Sequence, residues 1–148
     1  MKEYPFESTI KRYVVEYLKN RNYSKVVEER ELWEHGVDIK MKHENYSRYW
    51  LVEVKGGSKS KNARSVETNN FVFGLGQILT RIQSKTKPQS NKGSNKYGVA
   101  YPYSFIRFLQ SKRLHWNLCK NINLYVFLVK EDGEVEEYNW RRIQNEFY

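Results

Sequence analysis

Two short apolar–polar alternations joined by a polar turn constrain this chain more than any other feature. In the first, Val37, Ile39 and Met41 share one face, and Asp38, Lys40 and Lys42 share the other. In the second, Trp50, Val52 and Val54 oppose Leu51, Glu53 and Lys55, because successive strand residues point to opposite sides. Glu44-Asn45-Tyr46-Ser47 supplies the turn of a hairpin. One register then sets Asp38 directly opposite Glu53, with their Cβ atoms roughly 4.5–5.5 Å apart. Two carboxylates that close repel each other unless a cation sits between them. Lys55 follows two residues along on the same face. A surface hairpin of mixed charge would carry the same residues. Against that, Val52 and Val54 flank Glu53 and Trp50-Leu51 precede it, so the run reads as a central strand, where an acid needs a reason. Gly36 allows a sharp entry beside Asp38.

The remaining pattern alternates helix and strand. Phe6, Ile10, Val14, Tyr17 and Leu18 recur at helical spacing after Pro5, predicting a helix over about 5–20. Glu7 borders that stripe, and a solvated acid favoured by the helix dipole would account for it equally well. Val26-Val27-Glu28 begins a first strand, and strands at about 36–42 and 49–55 complete a meander. A loop over 56–64 carries Lys59, Lys61 and Arg64 and lacks the Walker spacing; it suits either a phosphate clamp or a plain connection. A second helix fits 67–84, with Phe71, Leu75, Ile78 and Ile82 as its stripe and Gln77 and Arg81 one turn apart on its flank. Gly74 and Gly76 each cost roughly 1 kcal/mol there relative to Ala, so close packing or a close ligand should compensate. A polar loop over 85–95, a strand at Tyr97 to Tyr101, a helix over 104–118, a buried strand at 124–129, an Asp132-Gly133 turn and a terminal helix over 139–147 follow. The expectation is an α/β fold with a mixed central sheet flanked by helices.

At 148 residues the chain is one domain with room for a sizeable core. The single cysteine, Cys119, excludes a disulfide framework and a cysteine-based zinc site. No apolar stretch approaches the ~18–20 residues of a membrane helix, and the start lacks the apolar core of a signal peptide; no membrane partner and a cytoplasmic location are expected. Net charge is +9, and from Thr68 to Lys130 there is no Asp or Glu. A long acid-free basic segment, with Arg81 and Lys85 near its start, suits a polyanion, since phosphate contacts dominate nucleic-acid affinity. A basic protein with no such partner, or with an acidic protein partner, has the same composition.

Gly36-Val37-Asp38, Glu53-Val54-Lys55-Gly56, Gly76-Gln77 and Glu7 together resemble the PD-(D/E)xK phosphodiesterase superfamily, the restriction-endonuclease-like fold with its αβββαβ core. The resemblance spans roughly residues 5–130; it departs from the namesake pattern where His35-Gly36-Val37 stands in place of a proline before the aspartate. It implies a divalent-metal-dependent nuclease acting on nucleic acid, DNA first. Asp38 and Glu53 would hold Mg²⁺ or Mn²⁺, with the Val54 carbonyl and Glu7 contributing. Lys55 and Gln77 would serve catalysis, and Lys59, Lys61, Arg64, Arg81 and Lys85 would contact the nucleic-acid backbone. A homodimer would suit two cuts on a duplex. The competing readings are a non-catalytic nucleic-acid-binding protein on the same fold, and an interaction subunit using a tyrosine-rich surface. His35 is incidental, and His43 and His115 have no partners at ligand spacing.

Overall fold

A computed structural model describes residues 3–25, 37–82 and 95–148. Helix α1 (Glu7–Lys19) leads into β1 (Tyr23–Lys25), β2 (Ile39–His43) and β3 (Tyr49–Val54). After α2 (Ala63–Ile82) come β4 (Asn95–Pro102), a 3-10 turn at Tyr103–Phe105, α3 (Ile106–Gln110) and α4 (Trp116–Ile122). The chain closes with β5 (Leu124–Val129), β6 (Val135–Tyr138) and α5 (Trp140–Phe147). The strands form one six-stranded sheet in sequence order, β1 to β6. Strands β1, β2 and β3 are antiparallel; β3, β4 and β5 are parallel; β6 returns antiparallel. The class is α/β with a mixed, open sheet.

Alternation along the central strands divides the core between the two faces. Val52, Val54, Ala100, Phe127 and Val129 pack with Ile10, Val14 and Leu18 of α1. Val99, Tyr101, Val126 and Leu128 pack with Phe71 and Ile78 of α2, and with Phe105, Phe108 and Ile143 from the later helices. Strand β5 is apolar and covered on both sides, as its unbroken hydrophobic run requires. In α2, Gly74 lets the helix settle onto β4: a Cβ there would meet the Tyr101 hydroxyl at 2.7 Å and Val99 Cγ2 at 3.0 Å. Gly76 has nothing within 4 Å of such a Cβ, so packing compensates for one glycine and leaves the other unexplained.

Two expectations change, and a third falls outside the described residues. The single helix expected over 104–118 is two short ones. Lys112 takes a left-handed conformation (φ 59°) that stops α3, Leu114 turns into the core, and the His115 side chain restarts the chain as α4 by accepting a hydrogen bond from Asn117 N–H. The Asp132-Gly133 turn opens into the unforeseen edge strand β6, whose sequence, VEEY, has one fully buried residue. The first described strand is Tyr23–Lys25; the expected start of a strand at 26–28 lies outside the described residues. Among the described residues, no helix is long and apolar enough to cross a membrane.

Candidate active site

The β2–β3 hairpin has the register that strand parity allows. Ile39 pairs with Val52, Lys40 with Leu51 and Met41 with Trp50. One step beyond, at the end of the ladder, Asp38 faces Glu53. Asp38 does not continue the ladder through its backbone; its Oδ2 accepts a hydrogen bond from Val54 N–H at 2.8 Å. That bond ties the carboxylate across the hairpin and fixes it beside Glu53, the residue before Val54. The flanking valines are fully buried on the α1 side, which holds Glu53 on the α2 side of the sheet.

Glu53 is 2% exposed. Burial raises its pKa to about 7, and the Asp38 carboxylate adds to the rise through its charge and a side-chain hydrogen bond. Arg81, from the last turn of α2, opposes it, with Nε 3.4 Å from Glu53 Oε2. That is ion-pair distance without hydrogen-bond alignment: among the described residues, the buried Oε2 accepts no hydrogen bond. A buried carboxylate oxygen left so is costly. The other buried acid, Glu67, is satisfied at both oxygens, by Ser104 Oγ at 3.1 Å and Arg107 at 3.3 Å. Glu67 ties α2 to the segment after β4; Glu53 is the acid with capacity to spare.

Glu7 and Lys55 approach the same corner from the other side of Asp38. Partial burial and then Asp38 raise the Glu7 pKa, while Lys55 and Lys11 lower it. The approach is built by the backbone. Gly57 N–H donates to Pro5 O at 2.8 Å, and a Cβ on Gly56 would stand 2.5 Å from Glu7 N, so only glycine lets the β3 end lie against the start of α1. Asn70 Nδ2 closes the corner from α2 by donating to Gly56 O at 2.7 Å. Lys55 N–H extends the parallel ladder to Ala100 O at 3.0 Å, leaving its side chain half-buried at the sheet's end.

Glu7, Asp38, Glu53, Val54 and Lys55 therefore lie at one end of the sheet. Asp38 is the middle member, since its charge acts on both glutamates. The acids form a pair with a neighbour: among the described residues, no three Asp, Glu, His or Cys side chains converge at ligand spacing. Gln77 is exposed, one turn before Arg81, and no hydrogen bond among the described residues joins its side chain to Asp38, Glu53 or Lys55. The sequence placed Arg81 among backbone-binding cations and missed its approach to Glu53. The signal available was its helical offset from the buried positions Gly74 and Ile78. Lys59, Lys61 and Arg64 are exposed, on and just beyond the loop after β3. That loop is organised by Ser58 and Ser60, whose hydroxyls accept from Ser60 N–H and Asn62 N–H. A pocket beside Asp38 is lined by Lys11, Lys25 and Lys40. Lys85, His35 and Gly36 lie outside the described residues.

Asp38 and Glu53 could hold a small, hard divalent cation: they are two facing carboxylates, one with a buried oxygen that lacks a hydrogen bond among the described residues, at a strand end where a backbone carbonyl is also at hand, and Mg²⁺ is commonly held by one or two carboxylates while keeping several waters. In comparisons with family models, curated proteins and solved structures, nothing matches this chain.

Proposed function

We propose that this chain is a divalent-metal-dependent nuclease that hydrolyses phosphodiester bonds in nucleic acid, DNA foremost. The observation that carries the reading is Glu53: a buried carboxylate facing Asp38, with one oxygen that lacks a hydrogen bond among the described residues. The element order α1, β1 to β3, α2, β4 is the αβββαβ order of the PD-(D/E)xK superfamily, and it supports the same conclusion.

Asp38 and Glu53 would hold Mg²⁺ or Mn²⁺, with the Val54 carbonyl as a further oxygen and Glu7 near enough to bias the site by its charge. The bound ion would supply positive charge against the phosphate and lower the pKa of a water. Lys55 would place its ammonium against charge that develops on the phosphoryl oxygens in the transition state. Gln77 would orient the nucleophile or the substrate backbone. Lys59, Lys61 and Arg64, just past Lys55 in the chain, would hold neighbouring phosphates and so set the strand's direction through the site. The pocket lined by Lys11, Lys25 and Lys40 offers more positive charge beside Asp38.

A non-catalytic nucleic-acid-binding protein is the second reading, and the Arg81–Glu53 ion pair favours it, because an internal guanidinium already supplies the buried acid with a counter-ion. One experiment separates the two. Wild type, Lys55→Ala and Asp38→Ala are incubated with labelled linear, circular and branched DNA and with RNA, with and without Mg²⁺ or Mn²⁺. Binding is measured on the same preparations. Cleavage should require the metal, and Lys55→Ala should lower its rate by ~10²-fold or more while binding changes little, since the lost interaction forms only in the transition state. Asp38→Ala should also stop cleavage. Wild-type rates in either variant would remove the assignment.

A further inference from the structure

Arg81 occupies the position where the carboxylate pair needs a cation. Its Nε stands 3.4 Å from Glu53 Oε2, the same buried oxygen that accepts no hydrogen bond among the described residues. Guanidinium groups normally meet a carboxylate through a planar fork with two aligned N–H donors. Here Nε approaches without alignment. Glu53 is almost wholly enclosed, whereas about a third of the Arg81 side chain, 34%, reaches solvent. The Nε that meets Glu53 is itself buried, so the contact is charge neutralisation inside the site, and the exposed third of the side chain marks the direction in which Arg81 could turn.

The movement is of the side chain alone. The buried residues of α2 are Glu67, Phe71, Gly74 and Ile78, and Leu75 and Ile82 pack partly buried against the same core, so the helix end stays seated on both sides of Arg81. Helix α2 ends at Ile82, and a cation in the last turn is favoured by the helix dipole, so turning away from Glu53 does not strand the charge.

We propose that Arg81 is the built-in counter-ion of the Asp38–Glu53 pair, displaced when a divalent cation takes Glu53 Oε2 and released toward a substrate phosphate. The proposal rests on reading the pair as a metal site. Its physical basis is competition for one oxygen. Without a divalent ion, two facing carboxylates repel, and the guanidinium offsets the repulsion. With one bound, the guanidinium faces a positive ion across the same oxygen, and the repulsion between the two cations opposes its contact with Glu53. A guanidinium that turns outward suits phosphate, which it can grip with two donors. Metal loading and substrate capture are thereby coupled through one side chain.

The test is isothermal titration of Mn²⁺ alone into wild type, Arg81→Gln and Arg81→Met, with thermal unfolding of each in chelator. Removing the competitor should tighten Mn²⁺ binding by about fivefold, the factor equivalent to an ion pair worth about 1 kcal/mol. The same variants should melt at lower temperature in chelator, because the carboxylate pair has lost its counter-ion. A residue with a purely structural role would weaken metal binding when removed, so equal or weaker Mn²⁺ binding in folded variants overturns the proposal and leaves the metal site standing. No Mn²⁺ binding by folded wild type overturns both. If neither variant folds, the wild type still decides. In its NMR spectrum, the Arg81 Nε–H signal, assigned by its loss in Arg81→Lys, should shift as diamagnetic Mg²⁺ saturates the protein. A signal that stays in place overturns the displacement.

Discussion

Two buried glutamates on the same side of the sheet show how environment divides structural from chemical roles. Glu67 has a hydroxyl on one oxygen and a guanidinium on the other; it is matched, and further chemistry would have to break that match. Glu53 is enclosed by apolar strand neighbours, faces Asp38, and among the described residues keeps one oxygen without a hydrogen bond. The consequence for stability follows from linkage. The Glu53 pKa is raised from 4.5 to about 7 in the folded protein, so across that window the folded state holds a proton that the unfolded chain has already released. Stability without metal therefore falls as pH rises from 4.5 toward 7 and then levels. In chelator, Glu53→Gln should abolish this decline, and its denaturation midpoint should gain on that of wild type between about pH 5 and pH 8. Parallel curves for the two proteins would mean that Glu53 ionises like an exposed acid. The Asp38–Glu53 opposition was legible in the sequence, because a strand's period of two leaves few registers with the valines inward. The Arg81 contact was not, because it depends on how α2 is set down on the sheet.

How α2 is set down is decided at the scale of the element. Gly74 lies under the Tyr101 hydroxyl and Val99, whereas Gly76 faces open space. The two glycines are close neighbours in one helix on different faces, and their alanine variants should have opposite effects. Gly74→Ala must push α2 off β4, shifting Arg81 relative to Glu53, and should destabilise by about 1–3 kcal/mol, as overpacking does. Gly76→Ala meets nothing and should stabilise by up to about 1 kcal/mol. Urea unfolding of both variants checks the pair, and a destabilised Gly76→Ala would show that α2 does not sit on the sheet in this way. Elements whose cause is local were legible: the α1 stripe, the hairpin, the apolar β5 run. The break between α3 and α4 was not. It depends on a lysine in a left-handed conformation and on a histidine side chain accepting from the helix start, and neither residue punctuates a sequence as glycine or proline does. Strand β6 was missed because an edge strand with one buried residue presents almost no alternation to read.

For the whole molecule, the direction of the parallel strands decides which of its many cations could serve the site. The carboxylates lie at the carboxyl end of β3, the side of an open α/β sheet where ligands usually bind. Lys55, Lys59, Lys61 and Arg64 leave from that end. Lys96 enters β4 at the other end, where its amine stands over Trp50 and Tyr125. Lys120 lies in the last turn of α4, just before β5 begins, over Trp140. Arg107 stands over Phe108 and also pairs with Glu67. The acid-free stretch that looked in sequence like a single binding surface thus serves packing as well, and its charge alone does not locate a partner. Position does. Reversing Lys59, Lys61 and Arg64 to Glu together should weaken nucleic-acid binding for every sequence tried and flatten its salt dependence, by a slope of about 0.9 for each phosphate no longer neutralised. Lys120→Glu removes a cation at the opposite end and should leave both affinity and slope close to wild type. The measurement is equilibrium binding of one labelled duplex across a salt series for the three proteins. Equal losses in both variants would mean attraction by net charge alone. A loss confined to Lys120→Glu would move the interface to the far end of the sheet, away from Asp38 and Glu53, and the nuclease reading could not survive that result.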